Sequence, residues 1–381
     1  MRLLVYTDYV YRQVGESVYG ERAFASFLGA LTSCVDQLTV VGRLDPAEGA
    51  THYPLPAAAR FVGLPHYESL TRPGAVTASL GRSLRRFWRA LDDADRVWLL
   101  GPYPHAVVFA VLSLARRRRV ILGVRQEFPG YIRSRRPGRR WMHVAADVLE
   151  SVWRGLARFC PVIVVGPDLA ARYGHARRLL EITVSLISSA DIAAAEASAP
   201  PWNEGGPLRL LSVGRLDHEK NPLLLADVLA RLRSADPRWR LVICGEGGLE
   251  DALVARLKEL DVGDYAELAG YVPFHAGLLE LYRSSHVFLH VSLTEGMPQV
   301  LVEAFASGVP VVATAVGGVP QAAGDAALLI PPEDADAAVA AIRRLASEAD
   351  LRRRLVEAGR GAARQHTIES EISRICMFIA G

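Results

Sequence analysis

The sequence predicts two α/β domains in tandem, each a parallel sheet wrapped by helices. Short β-branched or aliphatic runs alternate with longer helical patterns along the whole chain. The 381 residues are too many for one ordinary core, and they suit two domains of roughly 180 residues each. The stretch from Ala193 to Pro207 collects Pro, Gly, Ser and small polar residues without apolar periodicity, as a linker does. The expected division is an N-terminal domain over 1–190, a linker over 191–207, a C-terminal domain over 208–365, and a C-terminal helix over 366–381 that packs back on the first domain.

In the first domain the aliphatic runs predict strands at Arg2 to Thr7, Leu38 to Gly42, Val97 to Leu100, Val120 to Gly123 and Val162 to Val165. In the second they predict Leu208 to Val213, Arg240 to Cys244, Tyr265 to Leu268, Val287 to His290, Val311 to Thr314 and Ala327 to Ile330. Helical patterns lie between them. Two such domains would face each other across a cleft at the carboxyl ends of their strands, where ligands of open α/β sheets sit.

Composition excludes several classes. MRLLVYTDYV reads as a first strand rather than a leader, and the longest apolar run, Ala106 to Ala115, falls short of the ~20 residues of a membrane span. A cytoplasmic protein is expected. Cys34, Cys160, Cys244 and Cys376 show no CxxC spacing and read as reduced, buried thiols rather than a disulfide or zinc framework. Residues 1–190 carry 26 Arg against 15 acids, a balance of +11, while the rest carries −8. The basic half concentrates charge in Arg116 to Arg119 and in Arg133, Arg135, Arg136, Arg139 and Arg140, ahead of a helix with Trp141, Met142, Val144 and Trp153. That pattern suits an anionic membrane surface, or simply a solvated face; no nucleic-acid motif accompanies it.

The segment SLTEGMPQVLVEAFASGVPVVATAVGG, residues 292–318, follows a predicted strand. Pro298 is expected in the first helical turn, which gathers the backbone N–H groups of Gly296, Met297 and Gln299 at a helix N-terminus suited to a diphosphate. Glu295 and Glu303 lie eight positions apart, at most ~12 Å along a helix. That is too far for a hydrolase acid–base pair at roughly 5 to 9.5 Å, and it suits two carboxylates gripping opposite ends of one ligand. In LLSVGRLDHEKNP, residues 210–222, Arg215 and Lys220 follow a strand; Lys220 is one of only two lysines in the chain. Two cations in one post-strand loop can neutralise a diphosphate and take up the charge that grows on it, although a solvated pair beside a turn reads the same way.

These residues resemble the E-x7-E motif and the Gly-Arg-Leu…Lys signature of family-four GT-B glycosyltransferases, and the likeness runs over 208–332. The resemblance implies two Rossmann-like domains and retaining transfer of a sugar from a nucleotide diphosphate sugar, without metal or other cofactor. It assigns Glu295 to the donor sugar's hydroxyls, Glu303 to the ribose, and Arg215 and Lys220 to the diphosphate. It also implies donor contacts by Gly245 of the Gly-acid-Gly turn, by Tyr271 and Val272, and by Gly15 in the loop after the first strand, where Gly15 reads equally as a plain turn glycine. Asn221 stands where the family often has Gly, and it tolerates a left-handed backbone. Arg125, Gln126 and Glu127 stand where the family places a histidine. These three, with His105, are the acceptor-binding candidates; His105 reads equally as a helix-start or surface residue.

Glu250 in place of a third glycine disfavours a dehydrogenase reading of CGEGGLE. Asp93-Ala-Asp95 and Asp334-Ala-Asp336 match a metal-binding spacing, but both fit helix ends, and no metal site is expected. The acceptor would be a glycan, a lipid-linked sugar or a small molecule. A nucleotide-sugar epimerase of the same fold and a non-catalytic sugar-binding protein are the competing functions.

Overall fold

The computed structural model describes the chain except residues 22, 48, 50, 67–72, 136, 137, 196–201, 203 and 204. It divides into two compact units, Met1–Val184 with Ser370–Gly381, and Ser185–Glu369.

In the first unit the strands are β1 (Arg2–Val14), β2 (Ser17–Gly20), β3 (Gln37–Leu44), β4 (Tyr53–Pro54), β5 (Ala59–Pro65), β6 (Arg96–Gly101), β7 (Arg119–Val124), β8 (Val162–Val165) and β9 (Leu179–Ile182). The parallel core runs β5-β3-β1-β6-β7-β8-β9, so the chain winds outward in both directions from β1. Leu4, Leu99, Leu122 and Val164 are fully buried there, and Phe87 stacks on Phe109 at 3.9 Å. Four of these strands were not expected, and β1 is twice as long as predicted. Its extension turns back through Gly15-Glu16 and pairs Val14 with Ser17 in antiparallel register. A positive φ at Gly15 alone is what a two-residue type II′ turn requires. Gly15 is therefore the turn glycine of a hairpin, not a residue of a loop after the first strand.

The second unit is a parallel sheet of β10 (Leu208–Val213), β11 (Trp239–Cys244), β12 (Ala266–Gly270), β13 (Val287–His290), β14 (Val311–Thr314) and β15 (Ala327–Ile330), in the order β12-β11-β10-β13-β14-β15. All five pairings are parallel. Both faces are covered, which is why these strands read as continuous aliphatic runs. Four of the six match their predicted bounds at both ends.

The passage between units falls at Val184–Ser185 rather than at 191–207. Residues 189–195 form a helix of the second unit, with Ile192 and Ala195 buried and Asp191 and Ala195 carbonyls receiving Arg283 and Arg360 at 3.1 and 3.2 Å. Its alanine-rich composition hid that anchoring. Most of the expected linker, 196–201, 203 and 204, lies outside the described residues. Residues 366–369 stay with the second unit, and Ser370–Gly381 belong to the first.

The C-terminal helix Ile368–Ala380 brings Cys376 to Cys34, and their sulfurs are bonded, with Cα atoms 6.3 Å apart. This overturns the expectation of four reduced thiols. A pairing between residues 342 positions apart comes from the path of the chain and leaves no local spacing to read. Cys160 and Cys244 are free and buried, as expected.

Candidate functional site

β10 and β13 are neighbours whose crossovers leave in opposite directions, so a crevice opens beyond their carboxyl ends at the switch point of the sheet. Arg215 and Lys220 come from the loop after β10, and Ser292 and Glu295 from the loop after β13. All four line one hollow with His290, Met297, Pro298 and Gln299.

Its centre is a single carboxylate oxygen. Glu295 Oε1 receives Lys220 Nζ at 2.5 Å, Ser292 Oγ at 2.8 Å and lies 2.9 Å from His290 Nε2. A ring nitrogen facing a carboxylate carries its proton, so His290 donates through Nε2. Thr314 Oγ1 anchors the Ser292 carbonyl at 2.7 Å. Burial alone would raise the Glu295 carboxyl, but the His290 hydrogen bond and the Lys220 charge outweigh it and bring it down to about 2. Glu295 is thus an anion, and among the described residues the hydrogen bonds to its side chain all fall on Oε1.

The backbone beneath is built for close approach. Gly317 has φ +49, and a Cβ there would lie 1.9 Å from the Glu295 carbonyl; Gly318 N–H donates to that carbonyl at 3.2 Å. A Cβ on Gly245 would lie 1.8 Å from the Gly214 carbonyl. Gly245 therefore lets the loop after β11 close on the loop after β10, and its N–H reaches the Gly270 carbonyl at 2.7 Å. Asn221 adopts φ 50 and ψ 48, the left-handed backbone foreseen for it.

Several candidates sit differently from expectation. Pro298 is the extended N-cap of the helix Gln299–Ala306, which starts one residue late, so Gly296 and Met297 lie in the preceding loop rather than at the helix end. Arg215 is already paired with Asp217 and, at 2.6 Å, with Glu219. A diphosphate would have to exchange for those acids. Glu303 does not line the hollow; Tyr282 Oη donates to its Oε2 at 3.0 Å. Burial raises the Glu303 carboxyl to about 7 against that hydrogen bond. Gly245, Tyr271 and Val272 border the same sheet end without lining the hollow, and Tyr271 is exposed.

His290, Ser292 and Tyr282 were missed. His290 read only as the end of a strand and Tyr282 drew no reading; the usable signal was the HVS run leading into the TEG loop.

In the first unit Arg125 and Gln126 line a smaller hollow with Asp8, Tyr9 and Tyr103. Glu127 does not join them. Its Oε2 caps the helix Phe128–Arg135 through Gly130 N–H at 2.6 Å, and its Oε1 lies 3.4 Å from Arg172. His105 is only 1% exposed and packs its ring edge-on to Phe109, so it is a core residue at a helix start, with burial lowering its pKa. The two Asp-x-Asp pairs are engaged by the protein: Asp93 and Asp95 pair with Arg60 and Arg2 at 2.8 Å, Asp334 caps a helix, and Asp336 pairs with Arg231.

Of the basic cluster, Arg133 is bound to Asp147 at 2.7 Å and Arg116 to Asp92 at 2.8 Å. Arg139 and Arg140 are exposed, Arg136 lies outside the described residues, and the Arg135 side chain is not described. Among the described residues no helix is long and apolar enough to cross a membrane.

A doubly wound parallel unit with a cation–carboxylate pair at its switch point has the form of a ligand-binding α/β domain. Residues 195–362 match the family model of Glycosyl transferases group 1, and the domain they form belongs to that family. The chain is 33% identical over 144 residues to the putative colanic acid biosynthesis glycosyltransferase WcaL of Salmonella typhimurium, covering 36% of this chain and 35% of that one. It is 33% identical over 138 residues to the phosphatidylinositol N-acetylglucosaminyltransferase gpi3 subunit of Schizosaccharomyces pombe, covering 36% and 30%. The matched part thus spans about a third of these relatives' length. Whole-chain likeness is to solved GT-B structures. Sucrose-phosphate synthase from Thermosynechococcus elongatus superimposes with TM-score 0.71 at 18% identity, covering 100% of this chain and 98% of that one. Anabaena Alr3699/HepE in complex with UDP superimposes with TM-score 0.69 at 17% identity, covering both chains fully.

Proposed function

We propose that the protein is a glycosyltransferase that moves a sugar from a nucleotide diphosphate donor to an acceptor with retention of configuration. The observation that carries this is Glu295, fixed by Lys220, His290 and Ser292 through one oxygen at the switch point of the second sheet. Its other oxygen would hold hydroxyls of the donor sugar. The bond from sugar C1 to the diphosphate oxygen breaks, the acceptor oxygen bonds to C1 on the same face, and the acceptor proton leaves on the departing phosphate. Lys220, Arg215 released from its two acids, and the N–H groups at the start of the helix Gln299–Ala306 would take up the growing negative charge, in the place a divalent cation would serve. Glu303 would accept from the ribose.

UDP in the Alr3699/HepE complex supports a nucleotide donor, and the WcaL and gpi3 names support an acceptor that is a glycan or a lipid. A location at the inner face of a membrane fits the first unit. The helix Arg140–Ala157 exposes Trp141, Val144, Val148 and Val152, spaced three and four apart, beside exposed Arg139 and Arg140. Incubation with a panel of nucleotide sugars, followed by assay of released nucleotide, tests the activity. Release from none of them, with or without candidate acceptors, would overturn it.

A further inference from the structure

We propose that the first unit carries a site for an acceptor bearing a phosphate group, with Arg125 as the residue that reads that charge. The proposal rests on the transferase reading and adds the chemical class of its acceptor. β1 lies between β3 and β6, the switch point of the first sheet. The register of β1 against β3 slips between Tyr6 and Val10, and such a bulge re-aims the side chains it contains. Beyond the strand ends, Asp8, Tyr9, Gly101, Tyr103, Arg125 and Gln126 line a hollow.

Charge is what gives this hollow a preference. Asp8 is 8% exposed and already matched, since Tyr6 Oη donates to its Oδ1 at 3.0 Å and Arg43 Nε lies 3.7 Å away. Arg125 is different. Its guanidinium lies over the Phe24 ring at 3.8 Å and near the Tyr9 ring at 5.4 Å, and it donates to the Tyr9 hydroxyl. Among the described residues no carboxylate pairs with it, and its buried Nε has no hydrogen-bond partner. Four other arginines of the same unit, Arg12, Arg43, Arg116 and Arg172, do have acids. A guanidinium clamped by aromatic rings, with its charge unspent, is preorganised for the paired oxygens of a phosphate. The phosphate would act as a handle and remain intact while a hydroxyl of the same acceptor receives the sugar.

The test is equilibrium binding, with saturating UDP or GDP to occupy the phosphate-binding residues of the second unit. Two phosphorylated probes are compared with neutral counterparts: glucose 6-phosphate with glucose, and a short-chain prenyl-diphosphate-linked glucose in detergent micelles with the prenyl glucoside. At least one phosphorylated probe should bind about tenfold tighter than its counterpart, and Arg125→Gln should abolish that difference, on the scale of one charge-assisted contact. Preference for the first probe marks a soluble acceptor, and for the second a lipid-linked one. If Arg125→Gln loses its nucleotide affinity or melts early, Arg125→Lys and Tyr9→Phe replace it, each expected to weaken the phosphorylated probe about threefold or more. Equal binding of both phosphorylated probes and their counterparts, or undiminished preference in the folded variants, overturns the proposal. A separate titration with UDP or GDP alone reports on the transferase reading.

Discussion

Tyr282 Oη donates to Glu303 Oε2 across 3.0 Å, inside a part of the second unit where Tyr282 is fully buried. The hydrogen bond favours the carboxylate, yet burial wins and holds the Glu303 carboxyl near 7, above its ordinary 4.5. A group whose pKa rises on folding binds its proton more tightly in the folded chain. Its contribution to stability is therefore complete below about 4.5 and is lost as pH rises to about 7, a change of about 3 kcal/mol. Glu303→Gln keeps the shape without the charge. Urea unfolding should find it level with wild type at about pH 4 and more stable by up to about 3 kcal/mol at about pH 8, with weaker nucleotide binding. A difference of the same size at both pH values would show that the carboxyl does not titrate in this window.

Glu295 has the opposite sign. Its pKa falls to about 2, so its contribution is present above 4.5 and is lost only as pH drops toward 2. Lys220→Ala leaves this buried carboxylate without its cation, and Glu295→Gln leaves Lys220 without its anion. Each should lower kcat/KM by ~10²-fold or more, the scale of losing one charge-stabilising group. The double variant should cost much less than the product of the two, because both changes break one ion pair. Near-normal turnover in either single variant, with donor saturating, would remove these residues from the site.

Gly317→Ala tests the floor of the site without touching a charged group. The new methyl would meet the Glu295 carbonyl at 1.9 Å, on a backbone of φ +49 that side chains rarely adopt. Stability should fall by about 2 kcal/mol or more, and Glu295 should be displaced. Gly248→Ala is the control, since its Cβ would meet nothing within 4 Å. Equal stability of the two variants would mean that the loop yields freely.

Chelation should leave activity unchanged. The Asp-x-Asp carboxylates are engaged by arginines and a helix start, and the diphosphate charge is assigned to Lys220 and Arg215. Loss of turnover in EDTA, restored by Mg²⁺ or Mn²⁺, would overturn the metal-independent proposal.

The second unit was legible because its strands are short, parallel and buried on both faces, so each is an aliphatic run cut cleanly by a polar loop. Lys220 was legible because a chain with two lysines had placed one beside a strand end, and Glu295 because it stands eight positions before Glu303 in a segment that resembles the E-x7-E motif. His290 and Ser292 were not, because a buried histidine at the end of VFLH carries no periodic signal of its purpose; only the fold turns it toward Glu295. The first unit hid more. Antiparallel pairing of β1 with β2 depends on a Gly15 turn inside what read as a loop, and the Cys34–Cys376 bond depends on where the last helix ends. The acids that occupy Arg215, Asp217 and Glu219, stood in the quoted motif, but charge balance within a loop says nothing about pairing until the loop has a shape.

The membrane proposal turns on the helix Arg140–Ala157. Met142, Ala146 and Trp153 face the core, while Trp141, Val144, Val148 and Val152 are 50, 62, 55 and 42% exposed. Arg133 is paired with Asp147, so less free charge is present than the arginine count suggests, and the exposed Arg139 and Arg140 are the ones at the start of this helix. Basic residues near an anionic leaflet contribute ~1 kcal/mol each, too little for two alone, so the apolar stripe must contribute as well. Sedimentation with liposomes separates the two contributions. Wild type should pellet with vesicles rich in anionic lipid, pellet far less with neutral ones, and be partly released at high salt. Arg139→Ser with Arg140→Ser should remove the dependence on lipid charge, and Trp141→Ser with Val148→Ser should remove the part that survives salt. Wild type remaining in the supernatant with anionic vesicles at low ionic strength would end the membrane proposal and leave a soluble acceptor as the one to pursue.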